Sequence, residues 1–272
     1  MNAGRELKRK MASGAAVYAP IVAMGNEPFP TIEALKDVGA DCIIVDREHS
    51  LVNPETVLDY VRAGKELDIP VLVRPEENHS DWRCHLDSGV SGLMLPLVDT
   101  VDQAARAMDR AYFPPLGHRG YGLGMSPFAL DGLDPGRTPH HDLTGYVNNN
   151  TILLPQTESR ESVSNLRRIL ALDGIDGTVV GTFDLALDIG GIPEGASRAD
   201  LTRSPAVEES LEEIARICEE TGKVAGIGGL SPEDMAKWAK RGYRLFVIGT
   251  VTDGRIEGVL STIAETRRLL AQ

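Results

Sequence analysis

A chain of 272 residues, 42% of them hydrophobic, can bury one large core, and about 250 residues is the usual size of a single α/β barrel. A formal charge of −12 and a pI near 5.0 repel phosphate backbones and anionic membrane surfaces, so the partners expected here exclude nucleic acid and membrane. The first ten residues lack an apolar h-region, no run nears the ~18 apolar residues of a membrane span, and Cys42, Cys84 and Cys218 form neither a metal pattern nor a disulfide framework, which together predict a cytoplasmic protein.

Ala16 to Met24 reads as a first strand, followed by a helix from about Pro30 to Val38. Cys42–Asp46 is the second strand, and its helix starts at Asn53-Pro54-Glu55, an N-cap followed by proline at the first helical position. Strand three is Pro70–Arg74, with a helix from Asp81 to Leu86. Strand four is Gly92–Pro96, and the helix after it opens on a Thr100/Gln103 capping box and runs to Tyr112. From about 113 to 150 the chain is rich in Gly, Pro, His and Asn, an irregular segment of the kind that usually serves a site. The rhythm resumes with strand five at Ile152–Gln156, a helix from Ser159 to Leu172 and strand six at Thr178–Gly181. After a Gly/Pro loop comes a helix with Val207, Leu211, Ile214, Ala215 and Cys218 on one face. Strand seven is Lys223–Ile227, with a helix from Ser231. Strand eight is Leu245–Gly249, and the last helix carries Ile256, Val259, Leu260, Ile263 and Leu270. Eight strand–helix units predict a single closed (β/α)8 (TIM) barrel domain over residues 1–272, with the 113–150 segment bordering an active site. A doubly wound sheet is the rival, but no G-x-G-x-x-G follows the first strand.

Such barrels do their chemistry at the carboxyl ends of the strands. Strand two ends in Asp46, Glu48 and His49, strand three in Arg74, strand five in Gln156-Thr157-Glu158, and strand six runs into Gly181-Thr182-Phe183-Asp184. Each alone is as readily a loop cap or a surface ion pair; together they would converge on one mouth. Lys8, Lys10, Lys36, Lys65, Lys223, Lys237 and Lys240 all fall away from those ends, which excludes a Schiff base, and no thiol stands there for covalent catalysis. Glu158 and Asp184, on adjacent strands, suit a hard divalent cation that keeps sites for water and substrate oxygens. Arg74 suits an oxyanion and His49 a proton transfer, which points to enolate chemistry. The glycines of Gly226-Ile-Gly228-Gly229 and Gly249 leave phosphate binding open as a rival use of the mouth.

The chain resembles the HpcH/HpaI aldolase family, metal-dependent class II pyruvate aldolases that include 4-hydroxy-2-oxoheptanedioate and 2-keto-3-deoxy-sugar-acid aldolases. The resemblance spans nearly the whole chain. It rests on Asp46-Arg-Glu48-His49, Val73-Arg74-Pro75, Leu86-Asp87-Ser-Gly89 with Gly92-Leu-Met-Leu-Pro96, Tyr112-Phe-Pro-Pro-Leu-Gly-His-Arg119-Gly, Gln156-Thr-Glu158 and Gly181-Thr-Phe-Asp184-Leu185. It implies a lyase that reversibly cleaves a 4-hydroxy-2-oxo acid to pyruvate and an aldehyde through a metal-stabilised enolate. Glu158 and Asp184 would bind Mg2+ or Mn2+, with Co2+ a third candidate. Arg74 would contact the keto oxygen, the backbone at Thr182, Phe183 and Asp184 the carboxylate, and Gln156 would sit beside the metal. His49, paired with Asp87, would be the acid–base; Arg119 would lie near the acceptor. Asp46 and Glu48 are expected to hold water and orient His49. The family further implies a homo-oligomer, trimer or hexamer, with the last helix packed on a neighbouring subunit. Decarboxylation of oxaloacetate, cleavage of a CoA thioester, or keto-acid binding without turnover are the alternative uses of such a site. Three positions depart from the family pattern: Thr182 replaces a proline, Phe183 a small residue, and Arg47 a small or apolar one. Arg47 either turns away from the mouth or reads an acidic acceptor.

Overall fold

The computed structural model of the protein describes residues 3–76, 82–190 and 194–271. In chain order the elements are α1 (Ala3–Ala12), β1 (Val17–Val22), α2 (Pro28–Asp37), β2 (Ile43–Asp46), α3 (Pro54–Glu66), β3 (Val71–Arg74), α4 (Trp82–Ser88), β4 (Gly92–Leu95), α5 (Val101–Ala111), α6 (His140–Asn150), β5 (Ile152–Thr157), α7 (Arg160–Leu170), β6 (Gly177–Val180), α8 (Thr182–Gly190), α9 (Arg198–Thr202), α10 (Pro205–Thr221), β7 (Val224–Gly228), α11 (Pro232–Ala239), β8 (Leu245–Val251) and α12 (Glu257–Leu270). The expected start at Asp81 and part of the Gly/Pro loop, 191–193, lie outside the described residues.

The eight strands pair in sequence order, all parallel, and β8 closes on β1, which is the barrel that the repeat predicts. Alternation along each strand divides the core in two. Ala19, Ile21, Ile44, Leu72, Leu154 and Val179 point inward and fill the barrel. Val45, Val73, Leu93, Leu153 and Val180 point outward and pack against the helices. The seam between β1 and β8 is irregular: from Ala19 to Ile21 β1 advances two residues while β8 advances three, from Val247 to Thr250. The break falls at Pro20, which has no N–H to pair, and at Gly249, whose φ of 60° accepts the extra residue.

Local signals hold the helices in place. Asn53 caps α3 through Thr56 N, Thr100 and Gln103 form the expected box on α5, and Ser159 with Ser162 forms a second on α7. Four elements escaped the sequence reading: α1, α6, and the helices α8 and α9 within what reads as the Gly/Pro loop after β6. Leu7 and Met11 of α1 join the interior cluster and plug its amino end, where Lys8 pairs with Asp176 at 3.0 Å and Lys10 with Asp41 at 2.5 Å. The irregular stretch contains α6 and builds a small core of its own from Phe113, Leu123, Leu130, Leu143 and Val147. In this single chain α12 lays Val259 and Ile263 on the barrel, beside α11.

Candidate active site

The alternation that fills the barrel also selects what faces its mouth. Asp46, Arg74, Gln156 and Gly181 each stand two residues beyond an inward side chain, at Ile44, Leu72, Leu154 and Val179, so they form the next layer up. They line a cavity of about 680 Å³ together with His49 and Asp184.

On one wall Asp46 and Arg74 are locked together. Arg74 Nε donates to Asp46 Oδ1 and Nη2 to Oδ2, both at 2.9 Å, with Glu48 Oε2 3.2 Å from Nε. This two-pronged pair commits one edge of the guanidinium to the protein and leaves Nη1 as the end without a partner among the described residues. Burial draws the Arg74 pKa down, but the Asp46 bond and the charges of Asp46, Glu48 and Glu158 outweigh it, so the group is held cationic. Asp46 Oδ1 also accepts from Glu48 N at 3.1 Å and His49 N at 3.4 Å, which orients the backbone that carries the histidine. The imidazole itself is 63% exposed, with Nε2 3.6 Å from Glu48 Oε2. Burial raises the Glu48 pKa against the pull of Arg74 and His49.

Facing this wall are the two carboxylates. Glu158 is buried; Oε1 accepts from Leu97 N and Oε2 from Gln156 Nε2, both at 2.7 Å. Burial pushes its pKa up; the Leu97 and Gln156 bonds and Arg74 oppose this, whereas Asp184 adds to it. A Cβ on Gly181 would stand 2.7 Å from Glu158 Oε2 and 3.5 Å from Asp184 Oδ2, so both carboxylates reach one open point that only glycine leaves free. Among the described residues no three His, Cys, Asp or Glu side chains gather as a metal-binding group. Two carboxylates around an open point, with Gln156 Oε1 buried beside them and unpartnered, fit a hard cation that draws its other ligands from water and substrate. Gly181→Ala is accordingly expected to lower Mn2+ affinity about 10–100-fold, as for other disturbed metal surroundings. Its fold should survive, because the obstructing atom ends a side chain; metal titration and melting of the variant check both.

The third wall is the start of α8. The amides of Thr182, Phe183 and Asp184 belong to its first turn, where helical N–H groups lack intrahelical partners and favour an anion. Thr182 Oγ1 donates to Gly228 O at 2.7 Å, and a Cβ on Gly229 would meet the Phe183 ring at 2.5 Å. Thr182 and Phe183 therefore clamp α8 onto the end of β7. The glycines there make room for a side chain of the same protein, which weakens the phosphate alternative.

Two expected members are elsewhere. Each helix runs back against its strand, so Asp87, near the end of α4, and the stretch after α5 are delivered to the amino end of the barrel. There Arg119, buried, donates from Nη2 to Asp87 Oδ1 at 2.5 Å and borders a small cavity with Gly4 of α1. In one chain Asp87 thus pairs with Arg119 rather than His49, and the 113–150 segment does not border the mouth of its own barrel. Arg47 faces outward and is buried, away from the cavity. Sequence reasoning missed Leu97, whose amide anchors Glu158 from a backbone with φ 55° that nothing in a leucine announces.

The sequence model of the HpcH/HpaI aldolase/citrate lyase family matches residues 25–245. A 2-keto-3-deoxy-L-rhamnonate aldolase of Klebsiella pneumoniae is 32% identical over 235 residues, 85% of this chain and 80% of its own. A 4-hydroxy-2-oxo-heptane-1,7-dioate aldolase of Escherichia coli is 31% identical over 215 residues, 79% and 77% of the two chains. Among solved structures, an HpcH/HpaI aldolase from Desulfitobacterium hafniense superposes with a TM-score of 0.79 at 26% identity, covering 90% of both chains.

Proposed function

The chain belongs to the HpcH/HpaI aldolase/citrate lyase family, and from that premise we propose that it is a divalent-metal-dependent aldolase cleaving a 4-hydroxy-2-oxo acid reversibly to pyruvate and an aldehyde. The observation that carries this reading is the convergence of Glu158 and Asp184 on one open point, across the same mouth from Arg74 and His49.

Mg2+ or Mn2+, or Co2+, held by the two carboxylates would supply Lewis acidity at the substrate's keto oxygen. The first-turn amides of α8 hold the substrate carboxylate, with Gln156 beside it. The His49 imidazole takes the proton of the 4-hydroxyl. The C3–C4 bond then breaks, the aldehyde leaves, and the electron pair remains as an enolate whose oxygen accepts from Arg74 Nη1. A proton returned to C3 completes pyruvate. Asp46 holds Arg74, Glu48 faces both Arg74 and His49, and Thr182 with Phe183 fixes the helix start. Asp87 and Arg119 take no part within one chain.

The test is pyruvate release, read through lactate dehydrogenase, from 4-hydroxy-2-oxoheptanedioate and 2-keto-3-deoxy-L-rhamnonate. Release that stops with EDTA and returns with Mn2+ is expected; no release from any 4-hydroxy-2-oxo acid with any divalent ion refutes the reading. Oxaloacetate serves as a control, because loss of CO2 needs no base at a hydroxyl. His49→Ala should therefore suppress aldol cleavage far more than any decarboxylation.

We further propose a cytoplasmic homo-oligomer, trimer or hexamer. All three thiols are free, and no helix among the described residues is long and apolar enough to cross a membrane. Light scattering gives the stoichiometry.

A further inference from the structure

Strand alternation turns Asp46 into the mouth and the next residue, Arg47, out into the layer between barrel and helices. There Arg47 is only 6% exposed. Its Nε donates to Val52 O at 2.9 Å, its Nη1 lies 2.7 Å from His85 Nε2 on α4, and its Nη2 donates to Glu76 Oε1 at 3.1 Å. A guanidinium has only donors, so the His85 nitrogen is the acceptor of that bond. The bonds run in three directions from one planar group, which a lysine ammonium on a flexible stem does not reproduce. The bond to Val52 closes the span 47–52, and the other two fasten that span to α4 and to the loop after β3, the strand that ends in Arg74.

Glu48 and His49 lie inside the closed span. From the barrel side their amides are held by Asp46 Oδ1, and Ser50 Oγ accepts from Met24 N at 3.0 Å. The His49 imidazole is largely in solvent, so little grips the ring itself and its place follows from the backbone beneath it. Asp46 holds that backbone from within, and Arg47 holds it from behind.

We propose that Arg47 is a positioning residue for proton transfer: by stapling the loop after β2 to α4 and to the loop after β3, it fixes where His49 stands relative to Arg74. The inference rests on the role given to His49 above. Its outward burial means that it acts through the loop and not by touching substrate.

A double-mutant cycle on retro-aldol turnover tests it. Arg47→Met should lower kcat about 10²-fold, the scale of a 1 Å misplacement, with KM and Mn2+ affinity nearly unchanged. Arg47→Lys should lose most of the same activity, and it is the working variant if the methionine protein does not fold. In a His49→Ala background the same Arg47 change should alter turnover by no more than about twofold, because the group it positions is gone. Equal losses in both backgrounds, or no loss in the wild-type background, overturn the proposal. His49→Ala with undiminished turnover instead overturns the role assigned to His49, which separates the two failures.

Discussion

Replacing Glu158 by glutamine is expected to cut metal-dependent turnover by about 10³-fold or more, since a Lewis acid contributes several kcal/mol and 1.36 kcal/mol is tenfold in rate. The substitution is gentle on the fold. The new amide still offers an oxygen to Leu97 N, and Gln156 can rotate its unpartnered Oε1 toward the new NH2. A stability signature accompanies the loss. Burial raises the Glu158 pKa in the folded chain above its unfolded value of about 4.3. The folded state therefore holds the proton to higher pH than the unfolded state does. This stabilisation is fully present below the unfolded pKa and is lost as pH rises through the folded one. Without metal, Glu158→Gln should melt above the wild type at neutral pH, and the gap should close as pH falls. Adding Mn2+ should raise the wild-type melting temperature by mass action and leave the variant's unchanged. Calorimetry at two pH values, with and without Mn2+, reads all of this; a variant that keeps both its activity and its Mn2+ response would remove Glu158 from the ligand set.

Arg74→Ala should lower turnover 10²–10³-fold, the usual result of deleting one oxyanion donor. It should also destabilise the protein, because Asp46 is left as a buried carboxylate without its partner; breaking a buried pair costs about 3–5 kcal/mol. The two effects separate in the double variant Arg74→Ala, Asp46→Asn, which removes the stranded charge. Stability should largely return there, but turnover should not. Recovery of turnover with stability would mean that Arg74 serves only to neutralise Asp46. Arg74→Lys should lose turnover much as the alanine variant does, since the three donors of an ammonium share one nitrogen, which cannot rest on Asp46 and also reach the mouth as Nη1 does.

Much of the site was legible because the period of a strand is two. With the apolar runs aligned as eight strands, Asp46, Arg74 and Gln156 stand at their carboxyl ends, while Glu158 falls one residue past β5 and Asp184 in the first turn of α8 rather than on the adjacent strands expected. The same parity settles Arg47: one residue past Asp46, it faces the helices. What stayed hidden depends on contacts between distant segments. The Leu97 amide reaches Glu158 only because the backbone after β4 takes a left-handed turn. Asp87 and Arg119 are 32 residues apart and meet at the amino end through the packing of an irregular stretch with no period to read. The plug α1 is ten residues long, and its buried Leu7 and Met11 are too few to mark it in advance.

The central claim is that Glu158, Asp184, Arg74 and His49 make one enolate-forming site. It is tested most directly by following the methyl signal of pyruvate by NMR in D2O with the protein and Mg2+ or Mn2+. Loss of the signal as deuterium enters, stopped by EDTA and by Glu158→Gln, is the predicted result. A methyl signal that persists with every divalent ion, or exchange that continues unchanged in EDTA, would contradict the account.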